Sequence, residues 1–275
     1  MEGRHFREIV KRLSNSIAID GLEKLPSSYE LVGDIMLLQI PDDLKPYKRL
    51  IAETYMDVIG VGGVMEKERI SGELREPGHR LLAGERTVTL HKENGINYSI
   101  DLSRLMFSSG NINERIRMSK VKNIGPVVDM FAGIGYFSLP IAKYSRSSVV
   151  ALEKNPISFQ YLEENIRLNN LSDLITAENM DCRDYEGTGV KRIVMGYVRS
   201  TEKYLDKAMD IAGDGCIVHY HQTVPSDRHV EEMTRDVTEA ARRGSVGVDI
   251  LDIRQVKKYS PGIIHAVCDF EIKRY

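Results

Sequence analysis

The chain has no tryptophan, only three cysteines and no strong excess of either charge. Each scarcity removes a class of explanation. Cys182, Cys216 and Cys268 stand far apart with no CxxC pair, so no disulfide framework is encoded, and small apolar fillers in a reducing compartment are expected. No apolar run approaches the roughly 20 residues that cross a bilayer. The amino-terminal MEGRHFREIVKRL is charged and amphipathic, without the apolar stretch of a secretory signal, so a cytoplasmic location with no membrane partner is expected. With a formal net charge of −2 the chain as a whole has no strongly basic character, so composition alone does not announce a nucleic-acid binder. Local basic runs remain: Arg4, Arg7, Lys11 and Arg12 at helical spacing, and Arg254, Lys257 and Lys258 near the carboxyl end. Each suits either phosphates or a solvated face.

What is present points to two domains. A length of 275 residues with 42% apolar and 28% charged content gives an ordinary globular balance. Residues 1–107 read as a small α+β domain. They combine the strand-like ELVGDIMLLQI, a helix in PYKRLIAETYMDVIG that stops at glycine, and a hairpin in which ENG joins TVTLHK to INYSIDL. Residues 108–275 change to alternating strand and helix, with strands apolar enough to be buried on both faces. PVVDMFA, SVVALE, DLITAEN, RIVMGYV and CIVHYH are the successive strands. Asn155 with Pro156 marks a helix start. Two final runs, VDILDIRQVKKY and IIHAVCDFEIK, are joined by the short SPG, which predicts a hairpin and an antiparallel last strand. The fold class expected is α/β: a doubly wound, Rossmann-like sheet with an antiparallel last strand and a smaller α+β domain before it.

In VVDMFAGIGYF, Gly133 and Gly135 follow a strand and precede a helix, where glycine lets backbone approach a ligand at the strand ends. Glu153 ends the next strand, placed to accept both hydroxyls of a ribose. Asp181 follows the third strand; it is suited either to accept from an adenine amino group or to cap a turn, and the backbone N–H of Cys182 is suited to a ring nitrogen. The third glycine of GxGxxG is replaced by Ser138, which weighs against a nicotinamide-type loop. The pattern resembles class I S-adenosyl-L-methionine (AdoMet) transferases.

The resemblance extends from about Gly72 to the carboxyl end. FSSGNINERIRM, DMFAGIGYFSLPIA, ALEKNP with ENIRLNN, NMDCRD and RIVMGYV occur in the order found in the TRM5/TYW2 family of tRNA-modifying enzymes. That family comprises tRNA guanine-N1-methyltransferases and the wybutosine-pathway aminocarboxypropyltransferases. The methyltransferase branch ends its fourth strand in Asn-Leu-Pro; here Gly196, Tyr197 and Val198 stand there, which is similar to the archaeal aminocarboxypropyltransferase (TYW2) branch. The resemblance implies transfer of the 3-amino-3-carboxypropyl group of AdoMet to 4-demethylwyosine, 3′ of the anticodon of tRNA(Phe), with release of methylthioadenosine. Guanine-N1 methylation at the same position is the alternative, and a tRNA-binding protein that holds AdoMet without turnover is another.

The resemblance also assigns residues. Ser108, Arg115, Phe131, Ala132, Gly133, Gly135, Glu153, Asp181 and Cys182 are implied for the cofactor, with Arg115 either clamping its carboxylate or forming a surface salt bridge with a nearby acid. Glu114 matches the general base of the methyltransferase branch and Arg75 its polarising arginine; in the other branch either Glu114 removes the proton from the attacked carbon and Arg75 contacts base or phosphate, or the two form a structural pair in the joint between the domains. Tyr197 is placed either to stack on the tricyclic base or to pack on the sheet. Lys257, Lys258 and Tyr259 resemble a stretch that approaches tRNA, with Ser260 replacing the usual residue. His219 and His221 alternate on one strand face with no third ligand in sequence, so structural histidines are expected, and no metal. A monomer that grips the anticodon stem-loop is expected. Without a long amino-terminal extension before the α+β part, basic patches would carry much of the tRNA affinity.

Overall fold

The computed structural model describes residues 3–68, 70–72, 76–122 and 125–274. The chain divides into two compact units, Met1–Ser109 and Gly110–Tyr275. Arg75 lies outside the described residues, and Ser108 belongs to the first unit.

The first unit runs α1 (Arg4–Leu13), α2 (Ile19–Leu22), β1 (Glu30–Val32), β2 (Ile35–Leu38), α3 (Lys48–Ile59), β3 (Gly63–Glu66), β4 (Ile70–Ser71), β5 (Glu76–Pro77), β6 (Arg80–Gly84), β7 (Val88–Glu93) and β8 (Ile96–Asp101). Helix α1 buries Ile9 and Leu13, while Arg4, Arg7, Lys11 and Arg12 face solvent. Helix α3 buries Ile51, Ala52 and Tyr55 and ends at Gly60, whose φ of 77° lets its N–H close on the Met56 carbonyl. These faces form one core with Met36, Leu38 and Val64 of a four-stranded sheet ordered β1-β2-β3-β6. ELVGDIMLLQI, expected as one strand-like piece, is split into the hairpin of β1 and β2. Gly33 turns at φ +59°, and a Cβ there would lie 2.1 Å from Thr89 Oγ1 and 2.7 Å from the Leu90 carbonyl oxygen, so only glycine fits. The Asn94-Gly95 turn between β7 and β8 forms as expected, with both residues at positive φ.

The second unit runs α4 (Ile112–Ser119), β9 (Val127–Asp129), α5 (Ser138–Ser145), β10 (Val149–Leu152), α6 (Pro156–Leu168), β11 (Ile175–Glu178), β12 (Val190–Met195), α7 (Leu205–Ile211), β13 (Ala212–Pro225), α8 (His229–Arg243), β14 (Gly247–Ser260) and β15 (Ile263–Lys273). Its seven strands are ordered β11-β10-β9-β12-β13-β15-β14. Strands β9 to β13 pair in parallel, and β15 is antiparallel to both β13 and β14, as the short SPG turn requires. Val127, Val128, Ile193, Val194 and Val218 are buried, the pattern of strands covered on both faces. The Asn155 side chain accepts from the Ile157 N–H at 2.9 Å, with Pro156 at the first helical position. The sheet reverses its winding at β9, which pairs with β10 on one side and β12 on the other. The crevice at its carboxyl end is where doubly wound sheets bind ligands.

Candidate active site

Strand β9 ends in Asp129, which is fully buried; its carboxylate accepts from Ser138 Oγ at 2.7 Å and from the Phe131 N–H at 3.3 Å. Burial pushes its acid up to about 6, against those hydrogen bonds. It anchors the turn Phe131-Ala132-Gly133-Ile134-Gly135, in which Gly133 and Gly135 take φ of 57° and 100°. A Cβ on Gly135 would meet the Leu139 side chain at 2.7 Å.

Glu153 follows β10. One carboxylate oxygen accepts from the Gly133 N–H and the other from the Asn155 N–H, each at 2.7 Å. Desolvation raises its pKa to about 7 despite both bonds. After β11, Asp181 caps a short 3-10 turn through the Arg183 N–H at 3.0 Å. It is also gripped by the Arg183 side chain, Nε at 2.9 Å and Nη2 at 2.6 Å, with Lys154 Nζ at 3.3 Å. The bond from Arg183 is the largest cause that holds the Asp181 acid well below the usual range. Cys182 is buried, which pushes its thiol up to about 12, so only its backbone suits a ligand. Three strand ends thus present a glycine turn and two carboxylates, a donor and acceptor set that fits an adenosine.

At the fourth strand end, Gly196 faces the Phe137 ring; a Cβ on it would come within 2.9 Å of Phe137 Cε2. Phe137 in turn stacks on His221, centroids 5.3 Å apart at 26°. Tyr197 stacks on Phe131 at 5.3 Å and 24°, and Tyr204 meets both rings edge-on. The Arg183 guanidinium lies 5.4 Å from the Tyr204 centroid, so the Asp181 grip and the aromatic trio adjoin.

Helix α4 carries Glu114 and Arg115, 5% and 2% exposed, so Arg115 is buried and not the surface salt bridge that its position also suited. Glu114 Oε1 accepts from Arg117 Nε at 2.6 Å and lies 3.3 Å from Arg254 Nη2. Both arginines also meet Asp269: Oδ2 is 2.9 Å from Arg117 Nη1 and 3.0 Å from Arg254 Nη1. Asp269 Oδ1 is 2.6 Å from His219 Nδ1, and Arg192 donates to His219 Nε2. With Nε2 accepting, the proton sits on Nδ1 and points at Asp269. Burial lowers the His219 pKa, favouring this neutral ring. Burial works against the Asp269 charge, yet the His219 hydrogen bond and the two arginines outweigh it and hold the acid well below its ordinary value.

Sequence reasoning missed Arg117, Arg192 and Asp269. Arg254 was legible only as part of a basic run, and it turns into this array. Lys257 has its aliphatic stem near Gly110, and Tyr259 accepts from Arg199 Nε at 3.1 Å. His221 pairs with His265 across β13 and β15 at 2.9 Å, so both strand histidines are held by structural partners. Among the described residues no group of three or more His, Cys, Asp or Glu is arranged to hold a metal. The three cysteines are buried and free, and no described helix is long and apolar enough to cross a membrane.

Comparison with known proteins matches this arrangement. A TYW2 N-terminal domain model covers residues 9–87, and a TRM5/TYW2 methyltransferase domain model covers residues 89–251. The chain is 44% identical to a tRNA(Phe) (4-demethylwyosine(37)-C(7)) aminocarboxypropyltransferase of Pyrococcus horikoshii, over 97% of this chain and 96% of that one. It is 34% identical to the tRNA (guanine(37)-N(1))-methyltransferase Trm5b of Pyrococcus abyssi, over 90% of this chain and 76% of the relative. The crystal structure of P. horikoshii TYW2 in complex with MeSAdo superimposes with a TM-score of 0.91 at 40% identity, covering 98% of this chain and 100% of that one. The glycine turn, the paired carboxylates and the two matched domains place this chain in the TRM5/TYW2 family.

Proposed function

We infer that this chain transfers the 3-amino-3-carboxypropyl group of AdoMet to 4-demethylwyosine, 3′ of the anticodon in tRNA(Phe), and releases methylthioadenosine. The observation that carries the reading is the end of β12: where the methyltransferase branch has Asn-Leu-Pro, Gly196 lies against Phe137 and no side-chain amide is present to polarise a guanine. The higher identity to an aminocarboxypropyltransferase, 44% against 34% for the methyltransferase, supports it.

AdoMet supplies a sulfonium whose bond to the methionine γ-carbon breaks, its electron pair passing to sulfur, as the base carbon bonds to that γ-carbon. The chain positions and protects. Glu153 accepts from the ribose hydroxyls, Asp181 from the adenine amino group, and the Cys182 N–H serves a ring nitrogen. Phe131, Ala132, Gly133 and Gly135 line the loop, and Ser108 with Arg115 holds the methionine carboxylate. Turning the γ-carbon rather than the methyl toward the base is a matter of orientation. Glu114 takes the proton that the base carbon gives up, Tyr197 stacks on the tricyclic base, and Arg75 contacts base or phosphate. Residues 108–275 form the AdoMet domain and residues 1–107 serve the tRNA. The enzyme works as a cytoplasmic monomer on the anticodon stem-loop.

The test is product analysis after incubation with AdoMet and tRNA carrying the precursor base. Methylthioadenosine together with an aminocarboxypropyl nucleoside is expected. S-adenosylhomocysteine with a methylated guanine would overturn the reading in favour of methylation. Bound AdoMet that is never consumed would leave a tRNA binder.

A further inference from the structure

Five charged or polar side chains, each from a different element, converge behind Glu114. Asp269 is the hub: His219 meets it from β13, Arg117 from α4 and Arg254 from β14, while Arg192 of β12 backs His219. Strand register builds this directly. His219 and Asp269 are cross-strand partners on β13 and β15, and Asp252 faces Asp269 from β14, where it also binds Arg254. Arg117 and Arg254 are therefore bracketed between two carboxylates, Asp269 on one side and Glu114 on the other.

Both arginines reach the same oxygen of Glu114. Arg117 Nε donates to Oε1 at 2.6 Å and Arg254 Nη2 stands 3.3 Å from it, while no hydrogen bond from a described residue reaches Oε2. A carboxylate fixed by one oxygen has its second oxygen aimed, and the aim depends on what fixes the arginines. At 8% exposure and turned toward His219 and the arginines, Asp269 anchors them.

We propose that Asp269 is a positioning residue for the transfer reaction: through Arg117 and Arg254 it locks Oε1 of Glu114 and leaves Oε2 as the oxygen that receives the proton. The inference rests on the reading of Glu114 as proton acceptor. The proton moves from the base carbon to Oε2 as the new carbon–carbon bond is completed, and the guanidinium protons on Oε1 stay where they are. Losing Asp269 removes the carboxylate that Arg117 and Arg254 share besides Glu114, leaving Arg117 on Glu114 and Arg254 between Glu114 and Asp252, both free to change the angle of Glu114. A misplacement on the order of 1 Å at a reacting group costs about a hundredfold in rate.

The test is a cycle in the full-length enzyme with AdoMet and precursor tRNA, using Asp269→Asn, Glu114→Gln and the double variant. Expected for Asp269→Asn is a kcat lower by about 10- to 100-fold with KM for tRNA within about threefold. In the Glu114→Gln background the same change should cost less than about twofold, because the oxygen it aims no longer takes a proton. Asp269→Glu should recover part of the rate. If Asp269→Asn does not fold, Arg254→Met on the edge strand β14 runs the same cycle. Equal losses in both backgrounds, or a lowered melting temperature with unchanged kcat, would overturn the positioning role alone. A Glu114→Gln enzyme as fast as the parent overturns the proton-acceptor reading, and the positioning role with it.

Discussion

Gly196 and Phe137 form a matched pair: a Cβ on the glycine would sit 2.9 Å from Cε2 and 3.1 Å from Cδ2 of the ring. The ring has little freedom to retreat, being buried and stacked on His221, which is itself buried and bonded to His265. Gly196→Ala is therefore expected to destabilise the fold by about 1–3 kcal/mol through overpacking. Gly196→Ala combined with Phe137→Leu should recover part of that loss. Denaturant melts of the two variants and the parent check this, and equal melts for parent and Gly196→Ala would show that the ring yields.

The proposed role of Glu153 on the ribose predicts that cofactor binding is proton-linked. Its folded, ligand-free pKa stands at about 7, above the ordinary 4.5, because it is desolvated. Accepting from ribose hydroxyls favours the carboxylate form, so binding near neutral pH must expel a proton. AdoMet affinity is expected to be flat above about pH 8 and to fall toward tenfold per pH unit well below 7. Titration calorimetry at pH 6.5 in buffers of different ionisation enthalpy should register proton release that Glu153→Gln abolishes.

Locally encoded features were legible in the sequence. The Asn155-Pro156 start, the Asn94-Gly95 turn, the SPG hairpin and the run of buried strands all depend on residues within a few positions of one another. The glycine turn with Glu153 and Asp181 was legible for another reason: successive strand ends of a doubly wound sheet converge. The turn at Gly33 was hidden, since what demands glycine there is Thr89 and Leu90, more than fifty positions away. Hidden for the same reason was the array on Asp269: Arg117 and Asp269 are 152 residues apart and meet only through the register of β13, β15 and β14. Arg254 read as one of a basic run because nothing nearby in sequence reveals that its strand edge turns it toward Glu114.

Buried neutral histidines set the acid limb of stability. Burial drops His221 to about 3 from an ordinary 6.5, and it lowers His219 as well. At these two sites the unfolded chain therefore binds more protons than the folded one below about pH 6.5, and their contribution to stability falls as the pH falls toward 3. Asp129 and Glu153 act in the opposite sense: folded values of about 6 and 7 mean that the native state holds the extra protons above the ordinary carboxylate range. The difference between variant and parent isolates the histidine. Replacing His221 by asparagine should remove up to about 1.4 kcal/mol per pH unit from the slope between pH 6 and 4. Urea unfolding at three pH values in that range measures it, and an unchanged slope would mean that His221 is protonated in the native state.

Tyr197 offers the sharpest separation of packing from recognition. Its ring already stacks on Phe131 and meets Tyr204 edge-on, so removing the ring disturbs a wall next to the cofactor loop, whereas removing the hydroxyl leaves every ring contact in place. Stacking of one base on an aromatic side chain is worth about 1–3 kcal/mol, or roughly 5- to 150-fold in affinity. Tyr197→Phe should therefore keep kcat/KM for the tRNA within about twofold. Tyr197→Leu should lower it by at least about fivefold with AdoMet affinity little changed. Steady-state kinetics with tRNA varied at saturating AdoMet, beside AdoMet binding by calorimetry, distinguish the outcomes. A Tyr197→Leu enzyme that loses AdoMet affinity in equal measure would assign the ring to shaping the cofactor loop through Phe131, and the base would then be stacked elsewhere.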